Sequence, residues 1–322
     1  MTVAIVTPVY EDQESFAELC RRLADAERAA GTRFHIVAVD DGSLAAPPKL
    51  SSLVEANLSG EILRLARNVG HQSAIAIGLA HAYRLPKLSA CVVMDSDGED
   101  TPESIPRLLD AVAGESVDVA VAERAKRSET LTFQAFYAVY KRLFKILTGQ
   151  VLRFGNFMAL SPKALERVSG MYETATHVAG AVVKAKLRRA DVPTDRGVRY
   201  AGQSRMNFPS LVLHGMRAVM VFADLVLTRM ALALVAMTAL VIAVVVSALA
   251  AKLFGAATPG WVTVVTGFAL SLFLQTGLFT MITLIVSSLG RVDTPPRVRE
   301  RAMEYVASIE RSDIAAPLQA RG

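Results

Sequence analysis

The 322-residue sequence predicts an α/β chain, in which a mostly parallel sheet covered by helices is followed by a helical hairpin that spans a membrane. Three observations predict this. Short apolar runs alternate with amphipathic stretches as far as residue 122, the pattern of strand–helix–strand units. Four of the apolar runs end in polar clusters, as they would if a ligand bound beyond the carboxyl ends of parallel strands. Two stretches near the C-terminus carry no charged residue over lengths that match a hydrocarbon core.

The elements follow in order. Residues 3–6 read as a strand, and residues 15–29 carry a helical pattern. Residues 34–39 form the next strand, after which Pro47-Pro48 opens a helix. Residues 62–65 follow as a third strand, and the Ala-rich segment 73–83 is helical. Residues 91–94 make a fourth strand, a helix opens near Pro102, and residues 117–122 make a fifth strand. From Met230 to Ala251 there are 22 residues without a charge, enough to cross a core of about 30 Å. A second uncharged stretch covers residues 261–290, and the turn between the two contains Lys252, Pro259 and Gly260. Two buried core helices would be the alternative, but the length, adjacency and lack of polar faces favour a membrane hairpin.

Orientation follows from the basic residues. Arg217 and Arg229 precede the hairpin and Arg291, Arg297, Arg299 and Arg301 follow it, whereas the turn offers Lys252. Both flanks and both termini are therefore expected in the cytoplasm, at the inner membrane. The start, Met1-Thr2-Val3-Ala4-Ile5-Val6, has no basic leader before a long apolar run, so the first 200 or so residues are expected to stay in the cytosol. Cys20 and Cys91 are the two cysteines, which gives neither a disulfide framework nor a zinc site. A formal charge of +5 and a pI near 9.3 suit an anionic membrane surface. Nucleic acid is disfavoured, since no basic stripe is interleaved with aromatics.

The strand ends carry the chemistry. They are Thr7-Pro8-Val9-Tyr10-Glu11, Asp40-Asp41-Gly42-Ser43, Arg67-Asn68-Val69-Gly70 and Asp95-Ser96-Asp97. In an extended segment, residues two apart point the same way, so Asp95, Asp97 and Glu99 would face one ion. Carboxylate oxygens without His or Cys favour Mg²⁺ or Mn²⁺. Taken alone, the segment also reads as a solvated acidic turn. Four polar strand ends on one sheet edge, three of them bearing carboxylates, point to a nucleotide and a metal. With no Gly-x-Gly-x-x-Gly or phosphate-loop Gly-Lys-Ser/Thr pattern, a metal would neutralise the phosphates.

In their order, Thr7-Pro8-Val9-Tyr10, Val39-Asp40-Asp41-Gly42-Ser43, Asn68-Val69-Gly70 and Asp95-Ser96-Asp97 resemble the motifs of family 2 glycosyltransferases with the GT-A fold. The hairpin and the segment Arg199-Tyr200-Ala201-Gly202-Gln203-Ser204-Arg205 are similar to polyisoprenyl-phosphate glycosyltransferases, dolichol-phosphate mannose synthases included. The resemblance implies that Pro8, Tyr10, Glu11, Asp40, Asp41 and Asn68 line the donor. It implies that Asp95, Asp97 and Glu99 hold the metal on the donor diphosphate. Arg124, Arg127, Arg199, Ser204 and Arg205 fall where the family gathers groups for phosphates of donor or acceptor. Several positions depart from the family pattern. Glu11-Asp12 replaces Asn-Glu, Glu99 stands for Gln, Ser204-Arg205 for Ser-Lys, and Gly155-Asn156-Phe157 for Gly-Asp-Phe. Asn156 is then expected to orient the acceptor without taking a proton.

The expected organisation is a cytosolic catalytic domain (1–207), an amphipathic juxtamembrane helix (208–224), the hairpin (225–290) and a cytosolic tail (291–322). His214 and Arg217, three positions apart, suit a helix lying in the membrane interface, although a cytosolic extension of the first span fits as well. Lys141, Arg142 and Lys145 read as a solvated or membrane-facing basic face. His71, His81 and His177 read as structural or surface residues, and the tail as an exposed helix over 297–309 with a flexible end. The expected activity is inverting transfer of a sugar from a nucleotide diphosphate sugar to a polyisoprenyl phosphate such as undecaprenyl phosphate. Transfer to another membrane lipid such as a diacylglycerol, or a non-catalytic membrane binding subunit, is the alternative. A second copy of the chain is a further candidate partner.

Overall fold

The computed structural model describes residues 2–124, 131–152, 154–202, 208–255, 260–289, 295–312 and 314. The chain forms two compact units, Met1–Gln134 with Leu152–Val221 and Asp293–Gly322, and Ala135–Val151 with Phe222–Val292.

The first unit begins β1 (Thr2–Val9), α1 (Gln13–Ala30), β2 (Arg33–Asp40), α2 (Leu50–Glu55), β3 (Ser59–Leu65), α3 (His71–Ala82) and β4 (Leu88–Val93). A 3-10 turn over Pro102–Ser104 leads into α4 (Ile105–Val112) and β5 (Val119–Arg124). The helix α5 (Leu131–Thr148) intervenes before β6 (Met158–Leu160), α6 (Pro162–Ser169), α7 (Glu173–Thr176), α8 (Val178–Lys184), β7 (Arg189–Thr194) and α9 (Phe208–Met220). The hairpin helices α10 (Ala223–Leu253) and α11 (Trp261–Leu289) precede α12 (Pro295–Met303) and β8 (Val306–Arg311).

Among the described residues eight strands make one sheet, ordered β7-β5-β6-β4-β1-β2-β3-β8. The pairs β1·β2, β1·β4, β2·β3 and β5·β7 are parallel, and β6 and β8 run antiparallel to their neighbours. Central strands are buried on both faces, which explains why they read as continuous apolar runs. Along β1, Val3, Ile5 and Val9 join one core with Phe16, Leu19 and Leu23 of α1 and Ile105 and Leu108 of α4. Ala4 and Val6 join the opposite core with Ile75 and Leu79 of α3, Leu165 of α6 and Val182 of α8.

Two expectations are corrected here, and two strands go beyond them. The tail is not a helix over 297–309: α12 stops at Met303, and β8 pairs with β3, Leu63 opposite Ile309. Without β8, the backbone groups of β3 would form an open sheet edge, and Val306 and Ile309 pack onto the α3 core. The short β6 and β7 carry no expected signal, yet they extend the sheet past β4. The helix predicted to open at Pro47-Pro48 forms at Leu50.

In the second unit, α10 and α11 are 31 and 29 residues long. Segments of mean hydropathy 2.8 and 1.7 make both long and apolar enough to cross a membrane. Within this unit Arg229 Nη1 donates to Ile146 O at 2.7 Å, and Phe144 meets Phe222 edge-on. Lys141, Arg142 and Lys145 of α5 are exposed, alongside exposed Val139, Leu143 and Ile146.

Candidate active site

The site grows from the end of β4. After Val93 the chain does not stay extended but turns over residues 95–100, with Gly98 at φ +91°. A Cβ at Gly98 would lie 2.7 Å from the Tyr200 ring, so both the backbone conformation and the close approach require glycine. Asp95 N–H donates to Asp100 Oδ2 at 2.9 Å, and Glu99 N–H to Asp97 Oδ1 at 2.9 Å. The turn is stitched to the segment after β7: Tyr200 N–H donates to Asp97 O, Gly197 N–H to Glu99 O, and Asp100 bridges Arg196.

That turn corrects the expectation that alternation aligns Asp95, Asp97 and Glu99. Glu99 Oε2 pairs with Arg196 Nη2 at 2.5 Å, and Asp97 Oδ2 with Arg199 Nη2 at 2.5 Å. Asp95 Oδ1 lies 3.2 Å from His71 Nε2. Among the described residues no three His, Cys, Asp or Glu side chains already converge as a metal cluster. Asp95 and Asp97 nevertheless fit a hard cation. Burial, then the charges of Asp95 and Glu99, raise the Asp97 carboxyl above the usual value, against Glu99 N–H and Arg199. A divalent ion would relieve that crowding; Glu99 is turned toward Arg196.

His71 opens α3 behind Gly70 and is exposed, as a surface residue is expected to be, but it faces the carboxylate turn. Its Nε2 lies between Asp95 Oδ1 at 3.2 Å and Asn156 Nδ2 at 3.1 Å. It accepts from the amide when unprotonated there, or donates to the carboxylate when protonated, but not both. Burial works to lower its pKa, yet Asp95, then Asp97 and Asp100, raise it above the usual imidazole value. Buried Gln72 also reaches Asn156, its Nε2 lying 3.3 Å from Asn156 Oδ1. The structure thus brings Asp95, His71, Gln72 and Asn156 together.

The donor-side strand ends are ordered by their own carboxylates. Buried Asp40 accepts from Ser43 N–H at 3.0 Å through Oδ1 and from Arg64 Nη1 at 2.9 Å through Oδ2. Asp41 holds the next loop, accepting from Val69 N–H at 2.7 Å and Gly70 N–H at 3.0 Å. Glu11 accepts from the backbone N–H groups of Leu44, Ala45 and Ala46, so its carboxylate shapes the loop after β2. Pro8 is buried in β1, while Tyr10 and Asn68 are exposed at their strand ends. Arg124 ends β5. Arg127, Ser204 and Arg205 lie outside the described residues.

Further residues belong to this arrangement without having been expected. Asp100, Arg196 and Tyr200 fix the carboxylate turn. Arg64 holds Asp40 and also binds Glu310 of β8 through Nε at 2.9 Å and Nη2 at 3.1 Å. His214 does not stand alone on α9: its Nε2 meets Nε2 of buried His177 at 3.1 Å. The opposite face of α9 exposes Leu213, Met216 and Met220.

Comparison with known proteins fits this geometry. The undecaprenyl-phosphate 4-deoxy-4-formamido-L-arabinose transferase of Enterobacter sp. (strain 638) is 28% identical over 310 residues, 93% of this chain and 91% of that protein. The Salmonella typhimurium protein of the same name is 28% identical over 214 residues, 65% of this chain and 64% of its own. Among solved structures, glucosyl-3-phosphoglycerate synthase of Mycobacterium tuberculosis, bound to Mn²⁺, uridine-diphosphate-glucose and phosphoglyceric acid, gives a TM-score of 0.50 at 15% identity. The match covers 71% of this chain and 79% of that one, and shows the expected GT-A type of sheet. The model of "Glycosyl transferase family 2" matches residues 4–172, just over half of the chain, and the chain belongs to that family.

Proposed function

We propose that this chain transfers a sugar from a nucleotide diphosphate sugar to a polyisoprenyl phosphate, undecaprenyl phosphate in bacteria, at the cytoplasmic face of the inner membrane. One observation carries the reading. The likeness to a transferase named for undecaprenyl phosphate runs through 93% of the chain, a span that takes in hairpin residues as well as the sheet.

In this reading, Tyr10, Asp40, Asp41 and Asn68 line the nucleoside, with Asp40 and Asp41 also ordering the loops that carry it. Asp95 and Asp97 would hold Mg²⁺ or Mn²⁺, which neutralises charge on the departing diphosphate when bound. Arg199, paired with Asp97, brings a guanidinium to the same place, and Arg124, Arg127, Ser204 and Arg205 supply further groups for phosphate. An acceptor phosphate oxygen attacks the anomeric carbon as the bond to the nucleoside diphosphate breaks, inverting that centre. A phosphate monoester, with a second pKa near ~6, is largely dianionic at neutral pH and needs no base. Asn156 in place of a carboxylate suits such an acceptor: it donates hydrogen bonds and takes no proton.

The test is product formation. Detergent-purified full-length chain, given a panel of sugar nucleotides, Mn²⁺ and undecaprenyl phosphate, should convert one of them to a lipid-linked sugar phosphate and release a nucleoside diphosphate. Sugar transfer to a diacylglycerol hydroxyl, or no reaction with any donor, would refute it.

A further inference from the structure

Gln72 sits in the first turn of α3, nearly fully buried at 2% exposure, and it joins three segments. Its Oε1 accepts from Val178 N–H at 2.7 Å, and its Nε2 donates to Asn156 Oδ1 at 3.3 Å. Val178 is the first residue of α8, where the backbone N–H has no partner inside the helix. A buried N–H must find an acceptor. That requirement decides which way round the Gln72 amide lies. With Oε1 committed to Val178, Nε2 faces position 156, and Asn156 must turn its oxygen toward Gln72. Its NH₂ group then points the other way, toward His71 Nε2 at 3.1 Å. That nitrogen takes at most one of the two hydrogens.

We propose that Gln72 is a positioning residue for Asn156: it fixes the amide so that position 156 presents N–H hydrogens, rather than a carbonyl oxygen, to the acceptor phosphate. This rests on the reading of the acceptor as a lipid phosphate. A free Asn amide has two orientations of similar energy, and one of them would aim a lone pair at an anion. The Val178–Gln72–Asn156 relay removes that orientation. His177, which precedes Val178, is extended at φ −163° and caps α8 by accepting from Gly180 N–H, so the start of α8 that dictates the relay is itself held.

Gln72→Glu tests this, because a carboxylate accepts from both neighbours. Val178 N–H keeps its acceptor, and Asn156 must turn its NH₂ toward Glu and its oxygen toward the site. Binding of undecaprenyl phosphate to the full-length chain in detergent is read by native mass spectrometry, with UDP and Mn²⁺ as the donor-side control. Gln72→Glu should weaken the lipid phosphate about tenfold, the scale of a hydrogen bond to a charged group, and leave UDP binding within about twofold. Because Gln72 acts through Asn156, the same change in an Asn156→Ala background should cost nothing further. A merely structural role would lower lipid and UDP binding together, or would add to Asn156→Ala, and either result would overturn the proposal.

Val178→Pro guards against misfolding of the Glu variant. Proline is well suited to a first helical position after an extended residue, and it deletes the N–H that sets the amide. It should weaken lipid phosphate binding in the same sense; unchanged binding would overturn the relay. If the wild-type chain bound UDP with Mn²⁺ but no lipid phosphate, the acceptor reading itself would fall, and this proposal with it.

Discussion

Asp97 and Arg199 close the turn at the end of β4, with Arg199 Nη2 2.5 Å from Asp97 Oδ2 while Tyr200 N–H holds Asp97 O. The pair brings the carboxylate proposed for the metal and a guanidinium suited to phosphate onto one point of the sheet edge.

Asp97→Asn should therefore remove the Mn²⁺-dependent part of UDP binding and lower transfer by at least about a thousandfold, near 4 kcal/mol of barrier. The fold should survive, since the amide can still accept from Glu99 N–H. Calorimetry with and without Mn²⁺ checks this; unchanged metal dependence in a folded variant would remove Asp97 from the metal site.

Asn156→Ala should be milder, about tenfold in kcat or near 1.4 kcal/mol, because a dianionic acceptor needs orientation and not deprotonation. The rate should stay flat above pH 7 and fall below about pH 6 as the acceptor phosphate protonates. A pH–rate profile on the variant and the wild type reads both effects. Damage equal to that of Asp97→Ala would mean that Asn156 does more than orient.

Glu310 reaches the donor side through Arg64, which holds Glu310 with two hydrogen bonds and buried Asp40 with one. Glu310→Gln should weaken UDP binding by about threefold to tenfold, the range of a partly exposed ion pair reaching a buried partner. Isothermal titration with UDP measures this. Equal affinity would show that β8 completes the sheet without influencing the nucleotide.

His177 supplies a pH-dependent element of stability. Burial, and then the neighbouring His214, push its imidazole down to about 3. Folding thus favours the neutral form: its stabilisation is complete above the unfolded value near ~6.5 and is lost as pH falls from there toward 3, by up to about 1.4 kcal/mol per pH unit. His177→Asn keeps a helix-capping oxygen but cannot titrate, so its Tm should fall less steeply between pH 6.5 and 5. Parallel slopes for the two proteins would contradict this.

What could be read beforehand was whatever burial imposes on long, uninterrupted segments. β1, β2 and β4 are buried on both faces and announce themselves as apolar runs, and α10 and α11 do so by lacking charge. The polar strand ends follow from the sheet, so the sequence alone predicts Asp40, Asp41, Asn68 and Asp95 on one edge. β6 has three residues, too few for any period, and β7 carries Pro193 and exposed charges. β8 is recruited by the open edge of β3, a tertiary cause invisible to local propensity. The 95–100 turn escaped for a similar reason: Gly98 allows it, but Tyr200 and Arg199, some hundred residues away, stabilise it. His71 and Gln72 precede the segment 73–83 that reads as a helix and carry no local signal, because their partners, Asp95, Asn156 and Val178, lie on other elements.

The acceptor is the centre of this account, and one comparison tests it most directly. Full-length enzyme with its working sugar nucleotide and Mn²⁺ is given undecaprenyl phosphate, undecaprenol or a diacylglycerol at equal concentration, and each lipid product is identified by mass. Sugar should appear on undecaprenyl phosphate through a new bond to a phosphate oxygen, at a rate at least about a thousandfold above either alcohol. Comparable transfer to undecaprenol or to the diacylglycerol would contradict the account.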